Sequence, residues 1–191
     1  MRLKILDEPQ SFRSGIVFTL IRLFSRHPVL DVIRLVYHRP DFYCPQPLTH
    51  EVMRGPSSWS IGDRELMAAF IARSNECEWC TRAHTAVATK AYGHEVDIAA
   101  ISADLEHVPI PEALRATLRL LRELVREKML TTADVRAAVA SGVTIEQIRD
   151  ALGVCFAFSI TTRLANAFGF TLASQEAFDS GARYLIMRGY R

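Results

Sequence analysis

The sequence predicts an all-α fold, and three observations support this prediction. Apolar residues recur at helical spacing along most of the 191-residue chain, and no segment shows the apolar/polar alternation of a half-buried strand. Ser or Thr followed three residues later by an acid or amide marks several helix starts. Because 49% of the residues are hydrophobic, the chain can bury one sizeable core. We therefore expect a single domain over residues 1–191, built as a bundle of roughly eight to ten helices.

The first helices are predicted in segments 11–27 and 28–39, which are separated near Pro28 and closed by Pro40. Residues 41–58 contain further prolines around a short helix, and we interpret this stretch as a connector.

The central helices are predicted from two successive capping signals. Ser60 and Asp63 have capping-box spacing before an apolar helix. Asn75 and Glu78 repeat this spacing, which predicts a second helix that begins at about residue 76 with hardly any loop. Gly93 is its expected stop.

The same signals predict the helices of the second half. A short helix follows in segment 95–105, and a helix that starts near Pro111 carries one apolar stripe. That stripe consists of Leu114, Leu118, Leu121 and Val125. Capping pairs open two more helices, the second of which ends at Gly169, and segment 174–187 closes the chain. These capping pairs are Thr131 with Asp134 and Thr144 with Gln147.

Composition argues against several classes of function. The net charge is only +2 and arginines are scattered, so nucleic-acid binding is not expected. The most apolar N-terminal run, 14–24, is interrupted by Arg22 and precedes no small-residue cleavage site, so we interpret it as a core or interface helix rather than a signal peptide. No run approaches the roughly 18 uninterrupted apolar residues of a membrane span. We expect a soluble, cytoplasmic protein without a membrane partner. The apolar segments 14–24 and 152–160 supply more apolar surface than one small domain needs for its core. We therefore expect subunit contacts there.

The cysteines are the candidate chemical groups. Four are too few to staple a secreted scaffold of this length, and Cys77 and Cys80 lie three residues apart. Such a pair in a reducing cytosol indicates metal binding or redox chemistry. Cys44 and Cys155 are expected to be ordinary buried apolar residues.

On a single helix at about 100° per residue, Cys77, Cys80 and His84 fall within an arc of about 60°. Their spacing allows the two thiols to form a disulfide. Both are expected in the first turns of the helix that Asn75 caps, where the helix N-terminus favours a thiolate. His84, one turn after Cys80, can exchange a proton with it. Glu65 lies twelve residues before Cys77, and a short break would fold it back to complete a proton relay, with Trp79 and Phe70 as apolar walls.

The same residues allow other kinds of site. Zinc could bind Cys77, Cys80 and His84 with Glu65 as the fourth ligand, although structural zinc sites usually draw a second ligand pair from a distant segment. A c-type haem would need a histidine where Thr81 stands. A thioredoxin fold would need a strand before the pair, where the sequence predicts a helix. A redox sensor, whose dithiol only switches an interface, is a further alternative.

Glu65, Cys77, Cys80 and His84 form the pattern E-x11-C-E-W-C-x3-H. This pattern resembles the active-site signature of the alkylhydroperoxidase D-like branch of the carboxymuconolactone decarboxylase superfamily. The flanking segments 38–43, 61–80 and 161–170 resemble peroxidase-related members.

The resemblance implies an all-α protein that assembles into dimers, trimers or hexamers and acts without a metal or organic cofactor. Its implied activity is the reduction of an organic hydroperoxide, with a thiol/disulfide donor protein as reductant, or disulfide reduction. By the resemblance, Cys80 attacks the peroxide, Cys77 resolves the sulfenic acid and passes protons, and Glu65 and His84 complete the relay.

Two further positions follow from the resemblance. The best-studied peroxidase form carries a histidine between its cysteines, and here that position is Trp79, which cannot relay protons. Arg163 matches an arginine common in the branch, for which we expect no more than a structural salt bridge.

Overall fold

A computed structural model describes residues 4–9, 11–40 and 46–190, with Gln46 described by its backbone alone. Over these residues the protein is all-α, with a short 3-10 turn at Lys4–Leu6, ten α-helices and no strand. The helices are α1 Phe12–Ser25, α2 Asp31–His38, α3 Gln46–Arg54, α4 Ile61–Ser74, α5 Glu78–Tyr92, α6 Ile98–Ala103, α7 Glu112–Glu127, α8 Thr132–Ala140, α9 Ile145–Phe168 and α10 Gln175–Arg188. The predicted fold class is confirmed.

The predicted helix boundaries hold at most ends. Capping boxes begin α4, α8 and α9, and in α4 Ser60 Oγ accepts from Asp63 N–H at 3.0 Å. Gly93 and Gly169 end α5 and α9 in the left-handed conformation, with φ of 75° and 60°. Each side-chain cap satisfies otherwise unpaired N–H groups and stabilises its helix by about 1 kcal/mol.

The predicted capping of α5 by Asn75 is wrong. Asn75 is instead the C-cap residue of α4. Helix α5 begins at Glu78, with Cys77 as its N-cap residue. The Cys77 N–H donates to Ala72 O and the Glu76 N–H to Arg73 O, which is the hydrogen-bond pattern of a Schellman motif. Glu76 takes the left-handed position, with φ of 52°, and reverses the chain.

The core centres on α4, which is buried almost throughout and packs against α5, α7 and α9. The predicted apolar stripe of α7 is buried in this main cluster. A second, smaller cluster joins the N-terminal half of α5 to α10, and it contains Cys77, Trp79 and Cys80. The two cysteines therefore lie in an apolar environment between helices.

Helix α9 is long and apolar enough to cross a membrane by length and composition, with a mean hydropathy of 1.3. It packs against α3, α4 and α7 and buries eight of its residues. One such helix is weak evidence for a membrane span, since the core helix of a soluble protein meets the same criteria.

Both segments expected at subunit contacts expose apolar side chains. Helix α1 buries only Ser14 and Phe18, so it is not a core helix, while its Phe24 is 81% exposed. On α9, Phe156 is 59% exposed. These surfaces are consistent with an interface, which stays a prediction.

Candidate functional site

The four residues predicted from the sequence are all buried, and they lie on α4, on α5 or in the turn between them. Glu65 lies on α4 and is fully buried, and His84 lies on α5 with its Nδ1 2.8 Å from Glu65 Oε2. Cys77 and Cys80 are buried free thiols joined by a side-chain hydrogen bond. The short reversal at Glu76 folds α5 back along α4, as the sequence predicted for the carboxylate.

The cysteine pair is positioned differently from the prediction. Cys80 is in the first turn of α5, but Cys77 precedes that turn with non-helical angles of φ −103° and ψ 88°. The common helical face therefore applies to Cys80 and His84 and does not extend to Cys77. The Schellman motif, rather than helical periodicity, brings the Cys77 thiol to Cys80.

Negative charge is favoured on one cysteine only. The hydrogen bond from Cys80 lowers the pKa of Cys77 to about 7, and the backbone N–H groups of Cys80 and Trp79 help to offset burial and the charge of Glu78. The same hydrogen bond and near-complete burial raise the pKa of Cys80 well above its usual value. In the dithiol state Cys77 therefore ionises near neutral pH, while Cys80 keeps its proton.

Glu65 forms the centre of a buried polar network. Its Oε1 accepts from Arg54 Nη2 at 2.7 Å and from Tyr190 Oη at 2.9 Å. Its Oε2 lies 2.8 Å from His84 Nδ1 and 3.1 Å from Tyr190 Oη. Burial raises the pKa of Glu65, but the His84 hydrogen bond and charge, together with Arg54, outweigh it and leave the pKa below its ordinary value. Glu65 is therefore an ionised carboxylate that holds His84.

Sequence reasoning missed Arg54 and Tyr190. Arg54 ends α3 and also donates to Met53 O and Leu185 O, at 2.8 and 3.2 Å. Its guanidinium carbon lies 5.0 Å from the centre of the Tyr190 ring. Neither residue lies in a recognisable motif, and Tyr190 is 125 residues from Glu65 in the sequence. Only the three-dimensional packing of α3 and the C-terminus on α4 reveals them.

Aromatic rings enclose the site. Trp79 makes edge-to-face contacts with Phe170 and Phe178 at centroid distances of 5.3 and 5.7 Å, so it is an apolar wall as predicted. Phe158 of α9 contacts His84 edge-on at 4.3 Å. Phe70, the other expected wall, packs in the main core cluster instead.

A cavity borders the dithiol on the side of Cys77. A cavity of about 380 Å³ is lined by Arg73, Glu76, Cys77, Glu78 and Thr81. Cys80 is not among the lining residues. A reactant that enters this cavity therefore meets Cys77 first.

The remaining candidate positions contribute little to the site. Over the part of the chain that the structure describes, no cluster of three His, Cys, Asp or Glu residues could hold a metal ion. Glu65, the fourth ligand of the zinc alternative, is bonded to the guanidinium of Arg54, which competes with a cation for the carboxylate. Cys155 is buried as expected, and burial raises the pKa of its thiol. Arg163 is exposed and makes no ion pair with any residue that the structure describes, while Cys44 lies outside those residues.

Comparison with known proteins finds one family match over part of the chain and similar folds among solved structures. Residues 46–123, which include all four predicted site residues, match the sequence model of the carboxymuconolactone decarboxylase family. The fold is similar to that of an uncharacterised peroxidase-related protein from Silicibacter sp., with a TM-score of 0.75, 19% identity and 91% of each chain covered. It is also similar to an alkylhydroperoxidase core structure, an uncharacterised peroxidase-related protein from Ralstonia eutropha, with a TM-score of 0.72, 22% identity and 87% and 88% of the two chains covered. No curated protein matches the chain. Residues 46–123 are therefore similar to the carboxymuconolactone decarboxylase family, and the chain has the fold of the two peroxidase-related structures.

Proposed function

We propose that the protein is a thiol-dependent hydroperoxide reductase that acts on organic hydroperoxides through the Cys77/Cys80 pair, without a metal or organic cofactor. The observation that carries this proposal is the buried Glu65–His84 pair, with 2.8 Å between its atoms, one helical turn from a hydrogen-bonded dithiol. Nucleophile, base and a group that orients the base are the three parts of an activated cysteine site.

The network supports Cys80 as the attacking residue. Its thiol holds a proton at neutral pH, so it needs a base to become a nucleophile. His84 lies one turn further along α5, and Glu65 accepts the Nδ1–H, which leaves Nε2 as the basic atom of the ring. The Cys77 thiolate accepts a hydrogen bond from the Cys80 thiol and stays available as the resolving nucleophile.

The reaction follows from these positions. His84 takes the Cys80 proton, the thiolate attacks the terminal oxygen of R–O–O–H, and the O–O bond breaks. The sulfur keeps the hydroxyl as a sulfenic acid, and the departing alkoxide takes the proton from His84 to leave as an alcohol. The Cys77 thiolate then attacks the Cys80 sulfur and displaces hydroxide, which takes a proton and leaves as water. One hydroperoxide is reduced and one disulfide is formed.

The open side of the site suits the reductive half-reaction. Cys77 lines the cavity, so the thiol of a cytoplasmic donor protein attacks the disulfide there and releases Cys80. Arg73, Glu76 and Glu78 give the cavity both signs of charge, which offers polar contacts to a donor. We further propose that the protein works as a homo-oligomer through its exposed apolar helices.

Intact mass spectrometry after one equivalent of cumene hydroperoxide tests the proposal. We expect the loss of two hydrogens, and trypsin should place it in the peptide of residues 74–82, which contains both cysteines. Cys155→Ser is the matched control, because Cys155 is a buried thiol outside the site and its loss should leave the result unchanged. A fully oxidised protein without a bond between Cys77 and Cys80 would contradict the proposal.

Single-cysteine variants test the order of attack. Cys80→Ser should retain rapid alkylation at Cys77, which ionises near neutral pH. Its reaction with hydroperoxide should slow at least about 100-fold, since His84, which protonates the departing alkoxide in the proposed reaction, lies beside Cys80. Cys77→Ser should still form a sulfenic acid at Cys80 that a dimedone probe traps. If Cys80→Ser forms sulfenic acid at Cys77 as fast as the wild type reacts, the roles of the two cysteines are reversed.

A disulfide reductase or redox sensor is the second candidate function, favoured by the thiolate at the cavity and by Trp79 in place of a proton-carrying residue. Steady-state consumption of cumene hydroperoxide with a recycled dithiol separates the candidates. If the wild type is no faster than Cys80→Ser, the peroxidase proposal fails. Metal analysis of protein purified without chelator tests the zinc alternative, which near-stoichiometric zinc would support.

A further inference from the structure

We propose that Tyr190 is a positioning residue for the relay, and that the Gly189–Tyr190 segment closes the site from the C-terminal side. The catalytic consequence of this inference rests on the proposed peroxidase function. The structural part, that Tyr190 fixes Glu65 and His84, can be tested without activity.

The Tyr190 hydroxyl contacts both Glu65 and His84. It donates to Glu65 at 2.9 and 3.1 Å and lies 3.4 Å from His84 Nδ1. Its ring lies nearly parallel to the His84 ring, at 17° and 6.4 Å between centroids, and Arg54 lies over it. The residue as a whole is half-buried, and its hydroxyl reaches the fully buried carboxylate of Glu65.

The conformation of Gly189 places Tyr190 in the site. Gly189 has φ 66° and ψ −155°, a conformation that is essentially restricted to glycine. It is also closely packed, because a Cβ at this position would lie 3.0 Å from His50 Cε1 and 3.1 Å from Arg54 Cγ. The turn after α10 therefore needs glycine twice over, for its angles and for the approach to α3. Its effect is to direct the next side chain into the site.

The chemical role follows from the charges in the network. The charged and titratable groups that face Glu65 or Tyr190 are Arg54 of α3, Arg64 of α4, and Cys80 and His84 of α5. Burial and the Glu65 charge keep Tyr190 a neutral donor. With Arg54 and Tyr190 on the carboxylate, Glu65 stays ionised and its second oxygen holds His84 Nδ1. Removal of the hydroxyl loosens the orientation of the base.

The test compares Tyr190→Phe with Tyr184→Phe, which removes a hydroxyl from an exposed tyrosine on α10. Single-turnover oxidation by cumene hydroperoxide is followed by tryptophan fluorescence over a range of pH, since Trp79 lies between the cysteines. A hydrogen bond to a charged group is worth about 1.5–3 kcal/mol. We therefore expect Tyr190→Phe to slow oxidation about tenfold and to move the acid limb of the profile upward by at least about one pH unit.

Iodoacetamide alkylation of Cys77 and the imidazole proton spectrum complete the test. Alkylation should be unchanged, because the Cys77 thiolate depends on Cys80 and the helix N-terminus. The wild type should show a slowly exchanging, downfield His84 Nδ1–H resonance, assigned with His84→Gln, that shifts and exchanges faster in Tyr190→Phe. Gly189→Ala should reproduce this change by displacing Tyr190.

The outcomes separate the two claims. If the wild type consumes no hydroperoxide but the His84 resonance responds to Tyr190→Phe alone, the proposed function fails and the positioning role stands. If Tyr190→Phe leaves both the pH profile and the resonance as in the wild type, the inference is overturned. An equal fall in oxidation and alkylation would indicate general destabilisation and would also overturn it.

Discussion

Arg54→Met tests the claim that Glu65 is a buried, ionised carboxylate. The Arg54–Glu65 ion pair has an N–O distance of 2.7 Å, and its side chains are only 8% and 0% exposed. Water therefore cannot replace the lost guanidinium. Removal of one partner from a buried pair typically costs about 3–5 kcal/mol. For a chain of this length, each kcal/mol lowers the melting temperature by about 2–4 °C, so we expect a fall of about 6–20 °C.

The chain contains a matched control for this experiment. Arg82 and Glu78 form an ion pair with the same 2.7 Å distance, but the two side chains are 49% and 48% exposed. Because solvent screens this pair, Arg82→Met should cost no more than about 1 kcal/mol. Because the N–O distance is the same in both pairs, the comparison measures the effect of burial on the stability that each ion pair contributes.

The sign of the pH dependence follows from the direction of the Glu65 pKa. A carboxyl whose pKa is lowered by folding contributes stability above its unfolded pKa of about 4.5, and this contribution is lost as pH falls through the folded value. Without Arg54, burial dominates and the Glu65 pKa should rise. The destabilisation by Arg54→Met should therefore be largest near pH 7 and smaller near pH 5, where protonation of Glu65 relieves the unpaired charge.

Urea unfolding at the two pH values measures these quantities. Glu65→Gln and the double variant complete a cycle, in which Arg54→Met should cost much less once the carboxylate is gone. Equal losses in both backgrounds, or a loss near pH 7 no greater than that of Arg82→Met, would refute the reasoning.

Three other predictions follow from single features of the structure. The alkylation rate of Cys77 should rise with pH through a midpoint of about 7, while buried Cys155 should stay unreactive, as peptide mapping after iodoacetamide would show. Gly62→Ala should destabilise the protein by about 1–3 kcal/mol in urea, because its Cβ would lie 2.6 Å from Tyr92 Cε1; a neutral result would contradict the packing of α4 on α5. Phe156→Glu should lower the mass measured by light scattering if α9 forms a subunit contact, and a wild type that is monomeric at micromolar concentration would remove that interface.

Local signals in the sequence predicted the helices well. Capping boxes and C-terminal glycines act within one turn, so spacing in the sequence is spacing in space. Asn75 is the exception. Its spacing to Glu78 is typical of a helix N-cap, but the chain forms a Schellman motif at the end of α4, with Glu76 in the left-handed conformation. Because the left-handed position usually holds glycine, nothing in the sequence marked Glu76 for it.

The candidate site was predictable where its chemistry follows one stretch of chain. The spacing of Cys77, Cys80 and His84, with Glu65 one helix earlier, was sufficient to expect a relay, and the Glu65–His84 contact agrees with that expectation. Arg54 and Tyr190 were not predictable, because they reach Glu65 through tertiary packing over 11 and 125 residues of sequence. The pKa values of the two thiols also depend on tertiary packing. The sequence predicted a thiolate at the helix N-terminus for either cysteine, but burial and the hydrogen bond between the thiols favour it at Cys77 alone.

The position of Trp79 bears on the location of the buried polar network around Glu65. Trp79 stands between the cysteines in the sequence, and its ring packs against Phe170 and Phe178, so its side chain forms an apolar wall beside the dithiol. In the proposed reaction, protons for the sulfenic acid chemistry therefore pass along the face of α5 that Cys80 and His84 share. There Glu65 is held by two donors from distant parts of the chain, which gives His84 a fixed partner. A histidine at position 79 would add a second proton route only by removing an aromatic contact from this cluster.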